Sequence, residues 1–448
     1  MSKRGLVVNF GLMIFLIAVL VNAGNLSIAG EKSGTGEIKV LYEKRFDKKI
    51  DQVKIVRYEE NGTVRFYPKV VVLKELDKDL SQKDWRFYRK EVLVLDKEGN
   101  ITARIPDLEY FSEVRVSING ILVAVLRRYL DKPSPYRPGL MEDWKREKKQ
   151  ELTVYNDRGK IVWQTDKKLF APKCDCHFGG ISEKDTSISI AFDYGGGKKY
   201  SPTRGFWMSP FDEKYPSELV SGTLYGRFMA VAVYNRDGSR LVVLLDSTAN
   251  PIWEKSIDEQ TIGQVRISPH GSYVFVWAYT WSQEKDTKEE AIKRGRTLSK
   301  LVSVSTYLFD KEGNLILKKD DKCRYGSSVF SDNEKYLAYR IGTTPVMIIT
   351  ETGDYKKLPI TLPTSTMTNP QMIISDNGIL YIWYKGENEY ELTVVNEQGD
   401  IKGKKVFTKD ELSKGIENPG SSIMLVNGRL ILRIVGEKTV RICELTRD

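Results

Sequence analysis

Histidine and cysteine are scarce: the 448-residue chain has two His and four Cys. A Ser-His-Asp or Cys-His hydrolase needs an imidazole beside its nucleophile, and neither His177 nor His270 stands near such a motif. So few cysteines do not staple a chain of this size, so the fold must rest on apolar burial. Long apolar runs are missing beyond Val21, so the rest of the chain has no membrane-spanning stretch. Sustained runs of one charge are missing too. Lys and Arg exceed Asp and Glu by 70 to 60, a formal charge of +10, but they are interspersed, with only short basic groups such as 145–149. That pattern describes a solvated basic surface and argues against a nucleic-acid partner.

The N-terminus is different in kind. Lys3 and Arg4 precede an apolar run from Gly5 to Val21, and Asn22, Ala23 and Gly24 follow. A positive start, an apolar middle and small residues at the exit read as a signal peptide over 1–23, cleaved after Ala23. The expected organisation is therefore a signal peptide, a linker over 24–37 and one domain over 38–448, secreted or periplasmic. An uncleaved anchor is the alternative. No Cys follows the run, which argues against a lipid anchor.

Two hairpin types alternate through the domain. In the first, a β-rich run ends in Asp or Asn and Gly follows three residues later: Asp96 and Gly99, Asn156 and Gly159, Asp310 and Gly313, Asn396 and Gly399. The Asx side chain caps the turn and Gly takes the positive φ. In the second, the turn follows Ser: Ser268-Pro269-His270-Gly271, Ser331-Asp332-Asn333 and Ser375-Asp376-Asn377-Gly378, with looser copies near Gly120 and Gly428. Taking the Ser hairpin as strands a and b and the Asx hairpin as strands c and d gives a four-stranded unit. Its recurrence predicts an all-β fold, a seven- or eight-bladed β-propeller of four-stranded antiparallel blades. The last unit, from Ile423 to Leu445, has three strands, so the segment from Ile38 to Tyr42 is expected to supply the fourth and close the ring, hiding two edges. Two β-sandwiches are the structural rival.

The units resemble secreted WD-like and quinoprotein-type propeller repeats across nearly the whole domain, weakly in each copy. Asn156-x-x-Gly159-x-x-x-Trp163 is similar to the outer hairpin of quinoprotein blades, which implies that Trp163, and likewise Trp253, packs between neighbours. Most copies lack that Trp and the WD dipeptide is absent, so the resemblance implies an architecture and no cofactor.

The expected inserts at about 75–90, 131–150, 195–204 and 282–302 separate strand b from strand c, and other long segments join d to the next a. Antiparallel pairing sends both kinds of connection to one end of the domain. Rigid strands with loops gathered at one end make a binding surface. Candidate binding residues there are Trp85, Arg86, Tyr88, Tyr136, Arg137, Trp144, Tyr200 and Arg204, because aromatic and Arg side chains dominate interface energies. The plainer reading is that the aromatics pin the loops down. A short solvated helix is expected over 284–299.

Cys174-Asp175-Cys176-His177 enters an inner strand, which adds His177 to the candidates. Its C-x-C-H spacing is one residue short of haem attachment and lacks a second pair at zinc-finger spacing, so a metal role is open. Thiols of an exported chain commonly pair, and Cys174, Cys176, Cys323 and Cys443 allow three pairings, with buried or free thiols as the alternative. The sequence thus points to an exported module that binds a protein or a glycan through its loop-rich face. The alternative is a hydrolase or lyase acting on carbohydrate or peptide with a carboxylate pair at the channel mouth.

Overall fold

Local turn chemistry builds the domain. The computed structural model describes residues 38–445 except 61–62, 77–87, 109–112, 117–121, 131–146, 165–175, 182–187, 193–196, 202–204, 209–216, 223–227, 235–239, 247–249, 282–300, 322–324, 363–369, 387–388, 415, 417–419 and 427. In the Asx turns, Asp96 Oδ1 accepts from Asn100 N at 2.7 Å while Gly99, at φ 84°, donates to Asp96 O. Asn156, Asp310 and Asn396 repeat the arrangement. In the Ser turns, the hydroxyls of Ser268, Ser331 and Ser375 each accept a backbone N–H from across the turn at 3.0 Å. Both expected turn types are present.

The strands these turns join are numbered along the chain, starting with β1 (Ile38–Arg45). Sheet 1 is β2 (Lys49–Glu60), β3 (Thr63–Leu76), β4 (Tyr88–Leu95) and β5 (Ile101–Leu108). Sheet 2 is β6 (Glu113–Val116), β7 (Leu122–Leu130), β8 (Glu147–Asn156) and β9 (Ile161–Gln164). Sheet 3 is β10 (Cys176–Ile181), β11 (Ile188–Phe192), β12 (Gly197–Ser201) and β13 (Gly205–Met208). Sheet 4 is β14 (Ser217–Gly222), β15 (Met229–Tyr234), β16 (Arg240–Leu245) and β17 (Pro251–Ile257). Sheet 5 is β18 (Thr261–Ile267), β19 (Tyr273–Trp281), β20 (Leu301–Asp310) and β21 (Leu315–Asp321). Sheet 6 is β22 (Tyr325–Phe330), β23 (Tyr336–Ile341), β24 (Thr344–Ile349) and β25 (Asp354–Lys357). Sheet 7 is β26 (Gln371–Ile374), β27 (Leu380–Lys385), β28 (Glu389–Val395) and β29 (Ile401–Thr408). Sheet 8 joins the two ends of the domain: β30 (Gly420–Val426), β31 (Arg429–Val435) and β32 (Thr439–Leu445), with β1 antiparallel on β32 from Ile38 opposite Leu445 to Arg45 opposite Thr439. A short helix, α1 (Lys409–Ser413), opens with a Thr408–Glu411 capping box between sheets 7 and 8.

Burial shows how the sheets are stacked. In the second and third strands consecutive residues are buried, Val70 to Leu73 and Val92 to Leu95 all at 2% exposure or less, so both faces of the sheet are covered. A two-layer sandwich would solvate one face and give alternation instead. One apolar cluster joins sheets 1 and 2 through Val72, Val94, Val114 and Val123. Others join 4 to 5, 5 to 6, 6 to 7, 7 to 8, and 8 to 1, the last through Ile431, Ile442, Val53 and Leu73. Sheet 3 meets its neighbours through β10, which lies against β6 and β14. The fourth strands are the most exposed, as at Ile161, Leu315 and Ile401.

The connections differ from expectation in extent. Strands β3 and β4 trim the first insert to 77–87, and the second and fourth become 131–146 and 282–300. The insert expected at 195–204 is largely a strand. Gly197 to Ser201 form β12, which pairs with β11 on one side and β13 on the other, and these partners satisfy its backbone. The helix expected over 284–299 lies outside the described residues.

Candidate functional site

The two ends of the sheets are built differently. At the end holding the a–b and c–d turns, neighbouring turns brace one another. Glu334, buried and held at φ 62°, accepts the backbone N–H groups of His270 and Gly271 from the turn of the adjacent sheet, the second at 3.0 Å. Asp376 of the next turn accepts from Asn333 N at 2.7 Å, and Asn333 Nδ2 donates to Asp376 O at 3.1 Å. Trp253 fills the seam between sheets 4 and 5 and donates Nε1–H to Lys311 O at 3.1 Å. His270 is a turn residue at this end.

The opposite end carries the 77–87, 131–146 and 282–300 connections. Here β19 sends an aromatic ladder out of the core. Phe275, Trp277, Tyr279 and Trp281 share one face by strand alternation, with ring centroids 5.4 Å apart from Trp277 to Tyr279 and 5.4 Å from Tyr279 to Trp281. Phe275 is fully buried while Tyr279 and Trp281 are part-exposed, so the ladder grades from core to surface where the 282–300 connection begins. Gly263 makes room for it: a Cβ there would fall 2.0 Å from the Trp277 ring. Gln260 Oε1 accepts the Trp281 backbone N–H at 3.2 Å.

A polar pair lies on the other face of sheet 5, toward sheet 4. Glu259, buried in the connection from β17 to β18, accepts from the Tyr307 hydroxyl at 2.7 and 2.9 Å, and burial together with that carboxylate pushes the Tyr307 phenol well above its usual range. At sheet 1 the same end is a charged lattice. Asp51, at a bulge of β2, sits 2.9 Å from Lys90 and 3.4 Å from Lys74, and Glu91 bridges to Arg104 at 2.9 Å. The charges of this lattice are paired among themselves. The ladder, by contrast, offers aromatic surface.

Of the residues singled out in the sequence, Trp85, Arg86, Tyr136, Arg137, Trp144 and Arg204 lie outside the described residues, as do Cys174 and Cys323. Tyr88 opens β4 opposite Leu76, His177 stands in β10 opposite Ala191, and Tyr200 in β12 opposite Ile188. Tyr88 and Tyr200 are thus strand residues, where the sequence pattern places them in loops. Cys443 is a free thiol in β32, fully buried, and burial pushes its pKa up to about 11. Cys443 thus takes the buried-thiol alternative and is no half of a disulfide. Tyr279 and Trp281 escape a reading of the sequence because their period-two spacing reads simply as strand. Among the described residues no group of three His, Cys, Asp or Glu is placed to hold a metal, and no helix is long and apolar enough to cross a membrane.

No protein-family model and no curated protein matches the chain. Solved structures do. The Dos1 propeller is 11% identical and aligns over 91% of this chain and 96% of its own, with a TM-score of 0.53. A eukaryotic initiation factor structure gives 11% identity, coverage of 89% and 100%, and a TM-score of 0.47. The Myceliophteria thermophila Cps50 (Swd1) propeller domain gives 12%, 92% and 100%, and 0.41. At such identity the likeness to the Dos1 propeller speaks for fold alone, and none of these is specific to quinoprotein-type repeats. Together with sheets buried on both faces, it establishes a β-propeller.

Proposed function

We propose that the eight sheets are eight blades of a closed ring, and that this ring is a non-catalytic scaffold that binds a protein partner through its loop-bearing end. The observation that carries the reading is the asymmetry of the ends. One is locked turn to turn, and the other is the end from which the 77–87, 131–146 and 282–300 connections leave and at which a part-exposed aromatic ladder emerges. Aromatic groups that emerge from a rigid core supply contact area with little ordering cost, which is what an interface anchor needs. The N-terminal pattern adds export to the reading, with the signal peptide removed after Ala23; N-terminal sequencing of the protein from its native host checks that step.

Affinity capture with the full mature chain tests the interface. Replacing Trp281 by Ala, alone and with Trp85, Tyr136 and Trp144 also changed to Ala, is expected to weaken capture of the partner by at least about tenfold, the loss of one good anchor. His270→Ala, at the braced end, leaves capture intact. Undiminished capture by the quadruple variant sinks the reading. Capture of a glycan in place of a protein moves the site to another ligand class.

A further inference from the structure

The first strands of the sheets lie side by side, β6 by β10, β10 by β14, β14 by β18, β22 by β26 and β26 by β30. In the ring reading, on which the channel site depends, they form the wall of the central channel. One level of that wall is basic.

Arg266 on β18 donates through Nη1 to Ser328 O on β22, the first strand of the next sheet. Arg433 on β31 donates to Ser422 Oγ at 2.9 Å and, across to sheet 1, to Val53 O at 3.1 Å. Among the described residues neither has a carboxylate partner. Burial alone holds both guanidiniums below the ordinary arginine value. Register brings a further basic residue to the same level. Val265 and Ile267 face sheet 4 and Arg266 stands between them; Lys54 stands between Val53 and Ile55 at the equivalent step of β2.

Clipping one inner strand to the next does not require charge. Gln371 does it neutrally, donating to Ile423 O at 2.6 Å and accepting from Ile423 N at 2.9 Å. A desolvated guanidinium in the same role carries a cost that an amide avoids, and it keeps N–H donors the clip leaves unused. We infer that the channel wall at this level is an anion site, shaped for a compact polyvalent oxyanion of phosphate type. Several fixed cations in a low-dielectric wall raise the local concentration of such an ion and bind it in its charged form.

Titration calorimetry with inorganic tripolyphosphate on the full mature chain tests this. The expected result is one tripolyphosphate per chain, weakened about tenfold or more by Arg266→Gln and by Arg433→Gln, which keep a donor for Ser328 O or Val53 O. Lys402→Gln on the exposed outer strand β29 leaves the affinity unchanged. Urea midpoints confirm that each single variant is folded. Affinity unchanged in both arginine variants overturns the inference, as it marks adventitious association with a basic surface. Hydrogen exchange separates the two claims. Protected β1 and β32 amides with no tripolyphosphate bound overturn the channel site and spare the ring, whereas freely exchanging β1 amides overturn the ring and the channel with it.

Discussion

At the scale of single residues, the aromatic ladder depends on the absence of a side chain. Gly263 sits at a bulge between Ile262 and Gln264, and the Trp277 ring occupies the space where its Cβ would be, with contacts of 2.0 to 2.4 Å to three ring atoms. The ring cannot yield without disturbing Tyr279 and, through it, Trp281. Gly263→Ala is therefore expected to cost about 1–3 kcal/mol, the usual penalty of overpacking. Urea unfolding followed by tryptophan fluorescence reads both the midpoint and the ladder's environment. A wild-type midpoint with an unshifted emission maximum would show that the ring has room to move. Nothing in the letters around Gly263 announces this role, since a glycine in a strand is legible only as a bulge or a close approach, and which neighbour approaches is a tertiary fact.

At the scale of elements, the β31–β32 hairpin carries a bidentate pair. Arg429 Nε and Nη2 each donate to Glu444 at 2.6 Å. The hydrogen bonds from Arg429 hold the Glu444 carboxyl below its ordinary 4.5, against the opposing effect of burial. A depressed carboxyl contributes stability that is complete above its unfolded value and is lost as pH falls through the lower folded value. Unfolding midpoints measured from pH 7 down to about pH 3 should thus fall more steeply below the ordinary carboxylate pKa in the wild type than in Arg429→Met. Parallel curves would show that the pair adds nothing to the acid limb. The hairpins themselves are readable from sequence because Asp96 with Gly99 and Ser268 with Gly271 fix their turns through local hydrogen bonds. The strand β12 is not, because Gly-Gly-Lys-Lys has no β pattern of its own and is held by two partners, β11 and β13, that only the fold identifies. The expected anchors at the loop-bearing end rest on composition. Tyr279 and Trp281 need knowledge of which end of β19 leaves the core.

At the scale of the whole molecule, the ring reading makes the first strand of the domain a structural key. Both termini of the repeat meet in sheet 8, where β1 covers the edge of β32. Arg441, buried on β32, donates to Glu43 of β1 at 2.5 Å and to the carbonyls of Leu412 and Lys414, at 3.2 and 3.0 Å, at the end of α1. One guanidinium thus ties together the first strand, the last strand and the connection from sheet 7. Phe46 N and Ile50 N add backbone hydrogen bonds to Lys438 O and Glu437 O at 2.7 and 2.6 Å. An open array of sheets could lose its first strand at the expense of that sheet alone, whereas a closed ring loses its closure and exposes an edge strand at once. Deleting residues 38–45 is therefore expected to remove of order 5 kcal/mol, comparable with the total stability of a domain, and to drive the chain into larger species on size exclusion. Glu43→Gln should shift the midpoint the same way by a smaller amount while leaving the elution position unchanged. A truncated chain that keeps the wild-type elution position and midpoint would mean that β1 decorates an array already complete without it, and the eight sheets would then have to be described as an open arc.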